Sequence, residues 1–162
     1  MYQKILVAVD NSQLSQQAFQ EALAISKAFN AHLHLFHVVS LIDRLYPEIT
    51  PFSSESSYSA LAYEEMIQHQ NEQREILEQE GLEMLKSLQQ QGIAAGVNTD
   101  FTQEIGQADR QICEFAQKWG ADLIILGSHG RTGLSELFEG SISNYVAHHV
   151  PCSVLIVHSA ED

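Results

Sequence analysis

Basic residues are scarce in this sequence. Eight Lys and Arg stand against 21 Asp and Glu in 162 residues, a formal charge of -13. Binding to a nucleic-acid backbone requires basic groups that neutralise phosphates. The chain has no basic cluster, so a nucleic-acid partner is not expected. Cysteine is scarcer still. Cys113 and Cys152 lie far apart and make no C-x-x-C pair, which points to a reduced, cytoplasmic protein. No apolar run approaches the ~20 residues of a membrane helix, so no membrane insertion is expected. Met1–Asp10 has none of the charged head, long apolar stretch and small-residue cleavage site of a signal peptide.

What the chain does have is an ordinary globular composition. Hydrophobic residues make up 44%, and a chain of this length can bury roughly 70% of its unfolded surface without disulfides or metal. One domain over 1–162 is expected. Much of the acidic surplus falls between Glu64 and Glu83, interleaved with glutamine, and reads as the solvated face of a helix.

Short apolar runs alternate with helical patterns. Lys4–Asp10 is a continuous apolar run, typical of a strand buried on both faces. Ser12 can cap the next helix, in which Ala18, Ala22, Ile25 and Phe29 mark one stripe. Ala31–Val39 is the second strand. Leu41–Ser59 carries Pro47, Pro51 and a serine-rich run around Glu55, and reads as a long loop of the kind that is functional or mobile. A long helix is predicted from about Ala60 to Gln91, stopped by Gly92, with Leu77, Met84, Leu85 and Leu88 on one side. The third strand, near Ala95–Thr102, is short and polar. Ala108, Ile112, Phe115 and Trp119 repeat at helical spacing before Gly120. Asp122–Gly127 is the fourth strand and about Ser141–His149 the last helix, ended by Pro151. Ser153–Val157 is the fifth strand.

Strands separated by helices make an α/β fold with a parallel sheet and right-handed crossovers. The uniformly apolar first and fourth strands belong at the centre, and the polar third belongs at an edge. That gives a five-stranded parallel sheet of order 3-2-1-4-5 with helices on both faces, a Rossmann-like arrangement. Ligands in such sheets bind beyond the carboxyl ends of the strands, at the topological switch. Asp10 and Gly127 should therefore face one crevice.

The densest constellation is Gly127-Ser128-His129-Gly130-Arg131, followed by Gly140-Ser141-Ile142-Ser143. Glycines let backbone N–H groups come close to a ligand. The second stretch opens a helix, whose N-terminus offers free N–H groups and the positive end of its dipole to an anion. Ser141 and Ser143 add hydroxyls, and together these parts describe a phosphate cradle. Arg131 is the only Lys or Arg after Lys118. It would supply local positive charge, while distant carboxylates are screened over roughly 8 Å. The alternative is a set of ordinary loop glycines with Ser141 as an N-cap. The stretch is not a P-loop, because no G-K-[ST] follows. It is not a dinucleotide fingerprint either, since Asp10-Asn11-Ser12 after strand 1 holds no glycine.

Gly127-x2-Gly130-x9-Gly140-Ser141 resembles, without a gap, the nucleotide-binding pattern of the universal stress protein family. Lys4–Ser12 is similar to that family's first strand and turn, His37-Val38 to the end of its second strand, and Val150–Val157 to its last strand. The resemblance covers nearly the whole chain. It implies the same fold, of the adenine nucleotide alpha hydrolase-like kind, usually as a homodimer. It also implies binding of ATP, with Mg2+ or Mn2+ held by the phosphates. Carried over residue by residue, Asp10 would contact the ribose or phosphates. Val38 would meet the adenine through its backbone, with Ala8 and Leu126 lining the base pocket. Gly127, Gly130 and Arg131 would wrap the phosphates, and Gly140, Ser141, Ile142 and Ser143 would close on them; His129, from its place inside the glycine loop, is expected near phosphate too. The Leu41–Ser59 loop departs from the family pattern.

Other candidates read as structural. His32 and His34 alternate on one strand face and could begin a metal site, but no carboxylate or cysteine partner is near in sequence; no protein-held metal is expected. His148-His149 suits a helix C-terminus, and Cys113, Phe115 and Trp119 read as packing. Asp10 reads as a ligand-positioning acid rather than a general base, and no residue is assigned a catalytic role. The expectation is an ATP-binding stress regulator or sensor, with a regulatory protein partner of unknown identity. It would dimerise through the apolar edge strand at about 153–157. The alternative is a slow ATPase or phosphotransferase using the same site, which would need a positioned base that the chain does not display.

Overall fold

β1 (Lys4–Ala8) is apolar throughout its middle because both of its faces are covered. The computed structural model describes residues 1–40, 60–128 and 140–158. Along them follow α1 (Gln13–Phe29), β2 (His32–Val39), α2 (Ala60–Ala94), β3 (Thr99–Ile105), α3 (Ala108–Trp119), β4 (Leu123–Gly127), α4 (Ser141–His149) and β5 (Ser153–Val157). The expected loop at 41–59 lies outside the described residues. All strand pairs are parallel and the order is β3-β2-β1-β4-β5, as the sequence predicts. Leu6 sits at the centre, between His34 of β2 and Ile124 of β4.

Alternation along the strands builds two cores. Ile5, Val7, Leu33, Leu35 and Ile125 pack with Phe19 and Ala22 of α1 and Leu85 of α2. Leu6, Phe36, Ile124 and Leu126 pack with Ile112, Cys113 and Ala116 of α3 and Val146 of α4. Helices thus cover both faces. No described helix is long and apolar enough to cross a membrane.

One buried stripe and two boundaries differ from expectation. In α1, Ser12 does cap the helix, its Oγ accepting from Ser15 N at 3.1 Å. The buried stripe, however, runs through Ser15, Ala18, Phe19, Ala22 and Ser26. Phe29 sits at the helix end, 42% exposed, with its ring edge-on to Tyr2. Gly92 does not stop α2. A Cβ there would lie 2.3 Å from Thr99 Oγ1, so this glycine lets α2 pass close to β3. The turn is made four residues later, at Gly96 with φ 82°, where Val97 N donates back to Gly92 O at 3.0 Å. That turn uses up 95–98, so β3 begins at Thr99 rather than Ala95. It pairs from Leu33↔Thr99 through Val39↔Ile105.

Candidate functional site

The sheet switches direction of growth between β1 and β4, and what lies beyond their carboxyl ends is set by three features. The first is a shared apolar wall. Ala8, Val38 and Leu126 all belong to the sheet face covered by α3 and α4, Leu126 buried and the other two partly so. The second is the start of α4. Because β5 runs parallel to β4, the helix between them begins at the carboxyl end of the sheet. Gly140, not Ser141, is its N-cap, with φ -51° and ψ 142° and no side-chain cap. The first intrahelical bond is Asn144 N to Gly140 O at 3.0 Å. The amides of Ser141, Ile142 and Ser143 therefore have no acceptor within the helix. Ser141 is exposed and Ile142 is 40% exposed, whereas Ser143 is buried. The Ser143 hydroxyl donates to Gly140 O at 2.8 Å. It stiffens the first turn and has no proton left for a ligand.

The third feature is the turn that follows β1. Asp10 is half-buried. Its Oδ1 accepts from Ser12 N at 2.8 Å, and its own N–H donates to Ser15 Oγ at 2.8 Å. The carbonyl just before it, Val9 O, accepts from His37 Nδ1 at 2.7 Å. Ser15 and His37 thus join a site for which sequence reasoning named neither. Ser15 carried no signal at all, because its partner is a backbone amide five residues back.

Gly127 does something unexpected as well. A Cβ there would lie 3.1 Å from Leu14 Cγ and 3.2 Å from Leu14 O. Its bare α-carbon lets the first turn of α1, which follows Asp10, seat against the end of β4. His129, Gly130 and Arg131 lie outside the described residues. An open hollow of about 330 Å3 between α1 and α2 is lined by Asn11, Phe19, Met84, Leu88 and several glutamines. It holds no charged side chain and has no means of neutralising an anion.

His32 and His34 sit toward the opposite end of the sheet, at the start of β2. His32 Nε2 lies 2.8 Å from Asp100 Oδ2, the carboxylate partner that local sequence did not reveal. His34 Nε2 lies 2.9 Å from Thr102 Oγ1, and its ring is packed among Phe115 and Trp119. Burial lowers the His34 pKa to about 4, against the opposing pull of Asp100. Among the described residues no group of three ligands could hold a metal. His149 stacks on Tyr145 and bonds to its carbonyl at 2.7 Å. Cys113 is buried and Cys152 half-buried, and burial pushes both thiols upward, away from the nucleophilic thiolate.

The sequence profile of the Universal stress protein family matches residues 1–158. The chain belongs to that family. The universal stress protein Sll1388 of Synechocystis sp. is 35% identical over 156 residues, covering 96% of this chain and 97% of that one. Among solved structures, the universal stress protein UspA from Lactobacillus plantarum is similar at 26% identity and TM-score 0.74, covering 96% and 97% of the two chains. Two family structures share the fold at lower identity. One is a complex with cAMP, at 22% identity and TM-score 0.64, covering 98% of each chain. The other, from Archaeoglobus fulgidus, is a complex with dAMP, at 15% identity and TM-score 0.60, covering 96% and 98%.

Proposed function

We propose that this universal stress protein binds ATP in the crevice beyond β1 and β4 and acts as a nucleotide-dependent regulator. The observation that carries the reading is a juxtaposition. An apolar wall of Ala8, Val38 and Leu126 stands on the sheet face that α4 covers, and the acceptor-free amides of Ser141, Ile142 and Ser143 open α4 at the same end of the sheet. An adenine needs the first and a polyphosphate the second. The Gly127, Gly130, Gly140 and Ser141 spacing supports the same ligand, and so do the cAMP and dAMP complexes of family members. The residues present fit ATP: Asp10 would meet the ribose or phosphates, His129, Gly130 and Arg131 would complete the cradle, and a Mg2+ or Mn2+ ion would ride on the phosphates. In this reading the protein is not a dedicated enzyme, because among the described residues no group is assigned to activate water. Turnover is expected well below about 1 per second.

Calorimetry with ATP and Mg2+ tests the reading. One site per chain is expected, and Gly130→Val should remove it by blocking backbone approach to the phosphates. Equal affinity in that variant overturns the assignment. A cytoplasmic homodimer is part of the same proposal. β5 is an edge strand bonded to β4 alone within the sheet, and two copies could pair along it. Leu155 and Val157 pack against the α1 side of the core, so Ile156→Lys is the cleaner probe. Light scattering that finds the parent chain monomeric at micromolar concentration removes this interface.

A further inference from the structure

We propose that His37 is a positioning residue of the crevice, holding in place the peptide that carries Asp10. The inference rests on the ATP-binding reading for its consequence, but its geometry stands apart from it. The bonding of the sheet carries β1 only as far as Val9, whose N–H donates to Phe36 O at 2.9 Å. The next peptide unit, Val9 C=O with Asp10 N–H, is one rigid plane. Side chains hold it at both edges. His37 Nδ1, from β2, meets Val9 O at 2.7 Å, and Ser15 Oγ, from α1, meets Asp10 N at 2.8 Å. A carbonyl only accepts, so Nδ1 carries the hydrogen. With the plane pinned, Asp10 Oδ1 takes the Ser12 amide at 2.8 Å, and the carboxylate has a fixed direction.

The imidazole is itself braced. α2 crosses it at Gly81, where a Cβ would lie 2.7 Å from His37 Cδ2 and 2.9 Å from Nε2. Gln103 is the cross-strand partner of His37. Its Nε2 donates to Glu78 O at 3.0 Å, tying β3 to the same turn of α2. The ring is thus held between strand and helix with its Nδ1 edge aimed at Val9 O. An apolar side chain could fill the space, but it could not donate to the carbonyl.

The test uses the full chain with His37→Leu, His37→Asn and Gly81→Ala. Asparagine keeps a donor near the Nδ1 position; leucine does not. In nucleotide-free protein, exchange of the two hydrogen-bonded amides of the turn, Asp10 and Ser12, should quicken about tenfold in His37→Leu and stay near the parent rate in His37→Asn. ATP affinity should fall about five- to tenfold in His37→Leu and recover to within about twofold in His37→Asn. In an Asp10→Asn background, His37→Leu should change affinity by less than about twofold, because the two substitutions act through one group. Gly81→Ala, which crowds the ring without removing the donor, should quicken exchange in the same place and serves if His37→Leu does not fold. Parent-like exchange at Asp10 and Ser12 in whichever of these two variants folds overturns the positioning role. A parent chain that does not bind ATP overturns the crevice reading alone, and exchange still decides the role of His37.

Discussion

At the start of β2, His32 and His34 meet side chains; at its end, His37 meets a backbone carbonyl. The three residues lie within six positions of one strand, yet they do different physical work. His34 is sunk among Phe115 and Trp119 with its pKa lowered to about 4, so its chemistry is expressed as stability. His37 lies against α2 and spends its donor on Val9 O, so its chemistry is expressed as the direction of the neighbouring chain. Residue type alone does not separate these roles. Register does, because it decides which neighbours each ring finds.

The largest test of the contrast is pH. The folded-state pKa of His34 lies below its ordinary value of 6.5. Above about pH 6.5 the group is neutral whether folded or unfolded. Between 6.5 and 4 the unfolded chain takes up the proton and the folded chain does not. Stability should therefore fall as pH drops through that window, by up to about 3 kcal/mol. Urea unfolding at pH 7 and pH 4.5 should show a shallower loss in His34→Gln than in the parent; equal losses would assign the slope to other groups. Next comes Gly81→Ala at the other end of the strand. Alanine normally improves a helix interior by about 1 kcal/mol. Here its Cβ would meet Gln103 and the His37 ring, and a net loss of about 1–2 kcal/mol is expected in a thermal melt. A gain in stability would show that the ring yields freely. Ser12→Ala removes the cap of α1 beside Asp10 and should lose about 1 kcal/mol in denaturant unfolding. The smallest effect belongs to His32→Ala. Its partner Asp100 is 58% exposed, and an exposed pair contributes at most about 0.5 kcal/mol. A larger change would mean that its edge contact with Trp119 carries weight.

The strand order was legible because it depends on summed apolarity: β1 after Lys4 and β4 are hydrophobic and β3 is not. The caps at Ser12 and Gly120 were legible because they are local chemistry. The roles of glycine were not. Gly92 and Gly127 read as a stop and a phosphate loop, whereas the fold shows each making room for a neighbour, Thr99 and Leu14 respectively. Which atom approaches a bare α-carbon is a matter of packing between distant segments. The same holds for Asp100, which reaches His32 across 68 positions of sequence. For the candidate site, local spacing pointed to the open end of α4 and to Asp10, but the side chains that steady Asp10 came from another strand and another helix.

The central place of β1 has a consequence for how the chain is made. Leu6 needs His34 on one side and Ile124 on the other. The first partner emerges from the ribosome soon after it, while the second follows 118 positions behind. At ordinary elongation rates the free edge of β1 waits roughly 6 to 24 s for β4. During that interval the half-built sheet β3-β2-β1 offers its most apolar strand as an open border. A chaperone, or a second nascent chain, would find its contact there in a form that the finished protein no longer displays.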